Sequence, residues 1–444
     1  MAVEALHPEL TVQRLDDWRL CYDAYEGEGS VKQRGGVYLP MPSGYAGHED
    51  SGAAAYDAYR KRAQFPEILA TSVGAMVGII HAEEIQIEIP TPLEYLHENI
   101  DGGKTTLVDF HKEITRQLLI TGRYGVLADA PSIGGDPFLA GYRGDTIINW
   151  DRDFYVLNES GMVRDGFEWA TRDQYRVLQM LDGTYAATIY NGSEQTDVTS
   201  TRMGGGLLSA IPFAVASAKD MGPDIEAPPM IGIARAALAM YQLSADYRLQ
   251  LYMSGQETLV AINGEAPSAV GAGVVHEMMG SENVTPDLRY VSPTCAGIDA
   301  HIEAIKDNRE IAIQSGARLF EQSNQAQESG AARRMRFQSE TANLKTIAQA
   351  SCSLLEHSLR NVARLLGQSD AAIDAITVTP PKDLLDATIT PQDAVALFSL
   401  VESGGLSQET YYERIQDGGI ASQERTFDDE WKLIDGREFG ADGL

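Results

Sequence analysis

The chain has 444 residues, 43% of them apolar, enough to fill the cores of two or three domains and to exclude an intrinsically disordered polymer. Its formal charge of −29 argues against a surface that grips nucleic acid, since such affinity comes from Lys and Arg displacing counterions. The three cysteines, Cys21, Cys295 and Cys352, have no CxxC spacing and are odd in number, which excludes a disulfide framework and suits a reducing compartment.

The opening MAVEALHPEL lacks a basic stretch and an apolar run, so no signal peptide is expected. Aromatics and charge then mix (Trp18, Tyr22, Tyr25) before the chain loosens into a Gly-rich stretch over 26–36. Residues 53–80 read as helical, with a break at Phe65-Pro66, where proline removes a donor and biases its neighbour. The apolar run 68–80 is shorter than the about 20 residues a bilayer requires, so a buried helix is expected. Strict alternation over 84–89 predicts a strand with one buried face. Leu107, Phe110, Ile114, Leu118 and Leu119 make 105–121 an amphipathic helix, and 125–129 reads as a strand that stops before Pro131.

From about 146 to 213 the period becomes two. Strands over 174–181 and 184–190 flank Asp182-Gly183, the dipeptide a type I′ hairpin requires, and 166–170 is a further strand, so an antiparallel meander is expected. Pro223, Pro228 and Pro229 then punctuate the entry to a helical section. It runs as a helix over 231–253, a small strand–helix–strand insert over 257–294, a second helix over 299–320, a polar stretch over 321–330, and a helix without Gly or Pro over 331–366. In that last helix Leu344, Ile347, Ala348, Leu355, Leu359, Val362 and Leu366 form one stripe along roughly 50 Å, and Gly367 ends it. Two struts, a cap at their far end, a polar loop at their near end and a long beam suit a ring subunit that lines a pore. Short helices follow over 394–401, 407–415 and 427–434. The fold class expected is α+β.

Signs of catalysis and of cofactor binding are few. Gly102-Gly-Lys-Thr-Thr106 fails as a nucleotide loop: the first glycine of that motif would fall at Glu98, and a helix-like segment precedes it where a strand is needed. A turn into the following helix is the better reading. His97, His111 and His276 are isolated, no HExxH or GxSxG occurs, and Asp428-Asp429-Glu430 sits where acids stabilise a helix N-terminus. No cofactor, metal or catalytic residue is assigned.

Five blocks carry a resemblance. They are Tyr56-Asp-Ala-Tyr-Arg-Lys-Arg-Ala-Gln-Phe-Pro66 with the apolar run after it; Asp101-Gly-Gly103 with Phe110 and 118–131; Pro228-Pro229 with 241–248; the polar stretch and beam; and 401–411. Together, in this order, they resemble a family of tailed-phage portal proteins. The resemblance implies a portal-type fold: a wing (1–229, helices and antiparallel sheet), a two-helix stem (230–254 and 298–320), a small α/β clip (255–297), a tunnel loop (321–330), a long wing helix (331–367) and a short helical crown region (368–444). It further implies a ring, normally of twelve copies, at one capsid vertex of the virion, assembled in the host cytoplasm. Double-stranded DNA would thread through it without sequence reading during packaging and ejection. Partners implied are the terminase large subunit, the major capsid protein and head–tail adaptor or tail proteins, with no membrane.

In that frame an acidic lumen repels phosphate and lets DNA slide. In the tunnel loop the amides and hydroxyls of Gln322, Ser323, Asn324, Gln325, Gln327 and Ser329, flanked by Glu321 and interrupted by Glu328, offer weak, exchangeable contacts to the DNA backbone. Arg333, Arg334 and Arg336 meet either phosphate or, as the favoured reading, carboxylates of a neighbouring subunit. Two other classes stay open: a phage-encoded hydrolase with an antiparallel β core, and another capsid structural protein.

Overall fold

The computed structural model describes residues 3–47, 50–131, 134–255, 257–265, 267–270, 274–281, 283–291, 297–315, 330–381, 391–417, 420–422 and 425–435; side chains at 165, 330–342, 391–393, 396, 417 and 434–435 are outside the description. The chain divides into two units, one of residues 1–81 with 85–380 and one of 82–84 with 381–444.

The first unit begins with helix α1 (Val12–Glu26), whose N-cap Thr11 accepts the Arg14 N–H. Trp18 is fully buried and donates its indole N–H to the Thr121 carbonyl at 3.0 Å, so the ring is packed without stranding its donor. Helix α2 (Glu28–Gln33) stands where the glycines over 26–36 read as loose chain. Its Glu28 pairs with Lys32 at 2.6 Å and accepts the Phe65 N–H at 3.0 Å, tying this turn to a distant part of the sequence. Helices α3 (Ala53–Arg62) and α4 (Ile68–Ile80) flank the break at Phe65-Pro66.

Strand β1 (Gln86–Glu88) precedes helix α5 (Leu107–Thr121). The Gly102-Gly103 segment is a turn held by Asp101, which accepts the backbone N–H groups of Gly103 and Thr105, and Thr106 caps α5. The five apolar residues of the α5 stripe are all buried.

Strand β2 (Arg123–Asp129) is central in a three-stranded antiparallel sheet, between β3 (Phe138–Arg143) and β11 (Phe213–Ser217). In between lies a second antiparallel sheet. Its strands β4 (Ile147–Asp151), β5 (Phe154–Asn158), β8 (Tyr175–Leu181), β9 (Thr184–Asn191) and β10 (Glu194–Asp197) are ordered β10-β9-β8-β5-β4. Asp182 (φ 48°) and Gly183 (φ 77°) both take left-handed backbone, the type I′ geometry that joins β8 to β9. Strands β6 (Gly161–Asp165) and β7 (Glu168–Arg172) pair only with each other and extend the β5–β8 ladder as an exposed finger, with Phe167 97% exposed at its tip. The expected strand over 166–170 is thus the turn of that finger and the start of its second strand, β7.

The two sheets are joined by a buried ionic network. Arg176 on β8 reaches Asp129 on β2 at 2.9 Å and Glu159 at 2.7 Å, and Glu159 also accepts the Tyr142 hydroxyl from β3 at 2.6 Å. Arg123 is buried without a carboxylate; its guanidinium lies 4.0 Å from the Trp150 ring centre, and His7 stacks on the same indole.

The helical section follows as α6 (Ile231–Ser254), β12 (Thr258–Ile262), β13 (Asp287–Val291), α7 (Ile298–Gln314) and α8 (Gly330–Leu365). Helix α8 packs on β2, α5 and β11, burying Leu344, Ile347, Ala348, Leu355, Leu359 and Val362. It ends at the expected stop, where Gly367 (φ 70°) lets the Gln368 N–H reach back to the Ala363 carbonyl. Helix α9 (Asp370–Asp374) and strand β14 (Thr377–Thr379) complete the unit, β14 pairing antiparallel with β1. The whole is a mixed α+β fold with antiparallel sheets.

His111 on α5 is fully buried, its Nε2 is 3.1 Å from Ser351 Oγ on α8, and His81 meets it edge-on at 4.9 Å between ring centres. Burial, and then the neighbouring His81, pull the His111 pKa down to about 3; burial likewise takes His81 to about 4. The unfolded chain takes up a proton below about pH 6.5 and the folded chain does not, so stability is lost as pH falls from 6.5 toward 3. At pH 4.5 His111 is expected to remove about 2–3 kcal/mol of unfolding free energy relative to pH 7, and His111→Gln to flatten that dependence in urea titrations.

The second unit contains α10 (Pro391–Glu402), α11 (Gln408–Asp417) and α12 (Phe427–Asp435). Thr426 caps α12, and Asp428, Asp429 and Glu430 occupy its first turn, as their positions suggested. Phe427 packs between Tyr412 and Trp431.

Candidate functional site

The strut helices α6 and α7 are antiparallel over their length. At the base, a Cβ on Gly232 would lie 2.8 Å from the Ser315 Cβ, closer than real contacts allow, so the helices meet there only because α6 has no side chain. At the far end Gln250 Nε2 lies 3.1 Å from His301 Nε2. Gly232→Val is expected to wedge the base apart at a cost of about 1–3 kcal/mol, read as a lower thermal midpoint, with Gly232→Ala milder.

The inner half of α6 belongs to the body. Ile233, Ala234, Ala236, Ala237, Met240, Tyr241, Ser244 and Ala245 are buried, and further contacts hold it: Arg235–Asp17 at 2.7 Å, Tyr59 to Asp246 at 2.6 Å, and the Gln64 N–H to Ser244 Oγ at 2.9 Å. Its outer half is not buried, leaving Leu251, Tyr252 and Met253 40–50% exposed. On α7 only Ala312 is buried. Asp299, Glu303, Asp307 and Glu310, at spacings of four, four and three, share one exposed face, with Lys306 and Arg309 beside them. The strut therefore leaves the body as a bare helical pair with an acidic stripe.

Between the struts, β12 and β13 pair antiparallel from Thr258–Val291 to Ile262–Asp287. No helix occurs among the described residues of 263–286, which corrects the expected strand–helix–strand insert and α/β clip. Pro267, Gly264 and Gly280 interrupt that stretch, and none supports a helix interior. Val275 (91%) and Met279 (89%) are exposed there, along with Tyr290 and Val291 on β13. The signal in the sequence was the lack of any polar alternation over 267–279.

Of the sequence-derived site residues, Glu321, Gln322, Ser323, Asn324, Gln325, Gln327, Glu328 and Ser329 lie outside the described residues, as do 316–320 of the second strut. The backbone of Arg333, Arg334 and Arg336 lies in the first two turns of α8, with side chains outside the description. Among the described residues no cluster of three or more His, Cys, Asp or Glu could hold a metal ion, and no helix is long and apolar enough to cross a membrane.

A family model described as a domain of unknown function, DUF4055, matches residues 229–366, the span from the base of α6 to the end of α8. No curated protein matches. Among solved structures, the chain is similar to components of gene transfer agent particles. One is from the neck of an empty particle computed with C6 symmetry (14% identity, 79% of this chain and 90% of that chain, TM-score 0.42). Another is from the virion of the native particle (16%, 88% and 98%, 0.42), and a third from the native neck computed with C12 symmetry (16%, 78% and 89%, 0.40).

Proposed function

We propose that the chain is a portal subunit: many copies close a ring at the head–tail vertex of a phage-type particle, and double-stranded DNA passes through its centre. The observation that carries this reading is the strut pair. A monomer gains nothing from extending two helices out of its core with Leu251, Tyr252 and Met253 40–50% exposed and Val275 and Met279 about nine-tenths exposed. Side-by-side copies in a ring bury such surfaces between neighbours while leaving one face of each strut open to the lumen.

The α7 stripe of Asp299, Glu303, Asp307 and Glu310 is assigned to that open face. Lined with carboxylates, the channel repels DNA phosphates and prevents the duplex from settling in one register. The residues 321–329 are assigned to a tunnel loop, and Arg333, Arg334 and Arg336 to contacts with a neighbour's carboxylates. The β12–β13 hairpin is the surface for a packaging motor and then for adaptor or tail proteins, and the subunit performs no catalysis of its own.

Negative-stain electron microscopy of the purified chain is expected to give annular class averages with a central hole. Compact particles without a hole would overturn the reading and favour the hydrolase alternative. Shells or rods would favour a different capsid protein.

A further inference from the structure

A cavity of about 500 Å³ lies between the loop preceding β11 and the C-terminal half of α8 with α9. Its charged and polar lining includes Arg202 from the loop, His357, Asn361 and Arg364 from α8, and Gln368 and Asp370 beyond it. Several arginines reach carboxylates: Arg34 holds Asp23, Arg143 holds Asp145, Arg176 holds two, and Arg360 holds Glu356. Arg202 and Arg364, which share this cavity, do not. Among the described residues Arg202 makes no side-chain hydrogen bond or ion pair. Arg364 donates only to Asn361 Oδ1, at 2.6 Å, which fixes one edge of its guanidinium and leaves the other donors uncommitted. Asp370, the one carboxylate in the lining, pairs with neither. The neighbouring His357 has its pKa lowered, first by burial and then by Arg360, with Glu356 opposing and Arg364 adding a smaller push in the same direction as Arg360.

We infer that this cavity is a socket for a carboxylate-bearing segment of a second copy of the chain. The inference rests on the ring reading above. Two planar guanidinium forks suit a carboxylate, which each can grip through paired N–H groups. Charge complementarity selects the occupant: with 64 Asp and Glu against 35 Lys and Arg, the surface a neighbouring copy presents is predominantly acidic. The space exceeds that of a small ion and admits a side chain with its flanking backbone. Such a socket would let strongly like-charged copies close against one another, and salt would weaken it by screening.

The test compares ring formation by wild type, Arg202→Glu/Arg364→Glu and Arg202→Lys/Arg364→Lys, by mass photometry across concentration at low and high salt. The Glu variant is expected to need at least about tenfold more protein to form rings, while the Lys variant, which keeps the charge but loses the fork, lies between the two. Circular dichroism and thermal midpoint check folding; if the Glu variant is unfolded, Arg202→Gln/Arg364→Gln takes its place and is expected to shift the same way. Rings formed by the charge-altered variant at the wild-type concentration would overturn the socket and leave the ring reading standing, even if inorganic phosphate raised the wild-type thermal midpoint by filling the cavity. Absence of rings from the wild type at every concentration would overturn the ring reading, and the socket with it.

Discussion

Arg176→Met is expected to lower the unfolding free energy by about 3–5 kcal/mol, measured by denaturant titration at pH 7.5. The side chain is 14% exposed and its partners Asp129 and Glu159 are 13% and 15% exposed, so all three charges are largely out of water. Methionine fills much of the same volume but leaves two carboxylates facing each other without a cation, and the penalty is that of an uncompensated buried charge. The same residues also hold the Tyr142 and Ser200 hydroxyls, so the damage spreads to both sheets. Arg176→Lys, which keeps a cation at the site, is expected to lose less than Arg176→Met. An equal loss in the two variants would show that lost packing, and not stranded charge, sets its size.

Replacing 321–330 by a glycine linker of equal length is expected to leave ring formation unaltered and to reduce packaged DNA to near background in a packaging assay. The segment supplies amides and hydroxyls, with two carboxylates, between the second strut and the beam. Glycine removes every side-chain donor and acceptor while keeping the connection, so ring yield and DNA retention separate. Wild-type packaging by the glycine version would remove the tunnel-loop assignment without touching the ring.

Much of the fold was legible because local chemistry decided it. Asp182-Gly183 demands a turn with two left-handed residues, and the structure has them. The α8 stripe and Gly367 mark a helix and its end within one residue. Phe65-Pro66 separates α3 from α4 as proline chemistry requires. Failures came where distant residues or competing signals decided. Helix α2 is stabilised by Glu28 accepting the Phe65 N–H, a contact that no local window over 26–36 contains. The small apolar residues of 267–279 imitate a helix while glycine and proline forbid one. At the candidate site, the order of strut, two-stranded insert and strut could be read directly, but the helix expected within the insert is absent from its described residues. The bare outer half of α6 and the acidic face of α7 required coordinates, because periodicity says which residues share a face but not whether the chain's own core covers it. The shared cavity of Arg202 and Arg364 had no sequence signal; they come from a loop and a helix far apart in the chain.

The most direct test of the ring is the native mass of the purified chain, measured over a wide concentration range at moderate salt. A dominant species at a large integer multiple of 48.3 kDa, persisting on dilution, is the predicted result. A 48.3 kDa species at every concentration would contradict the account.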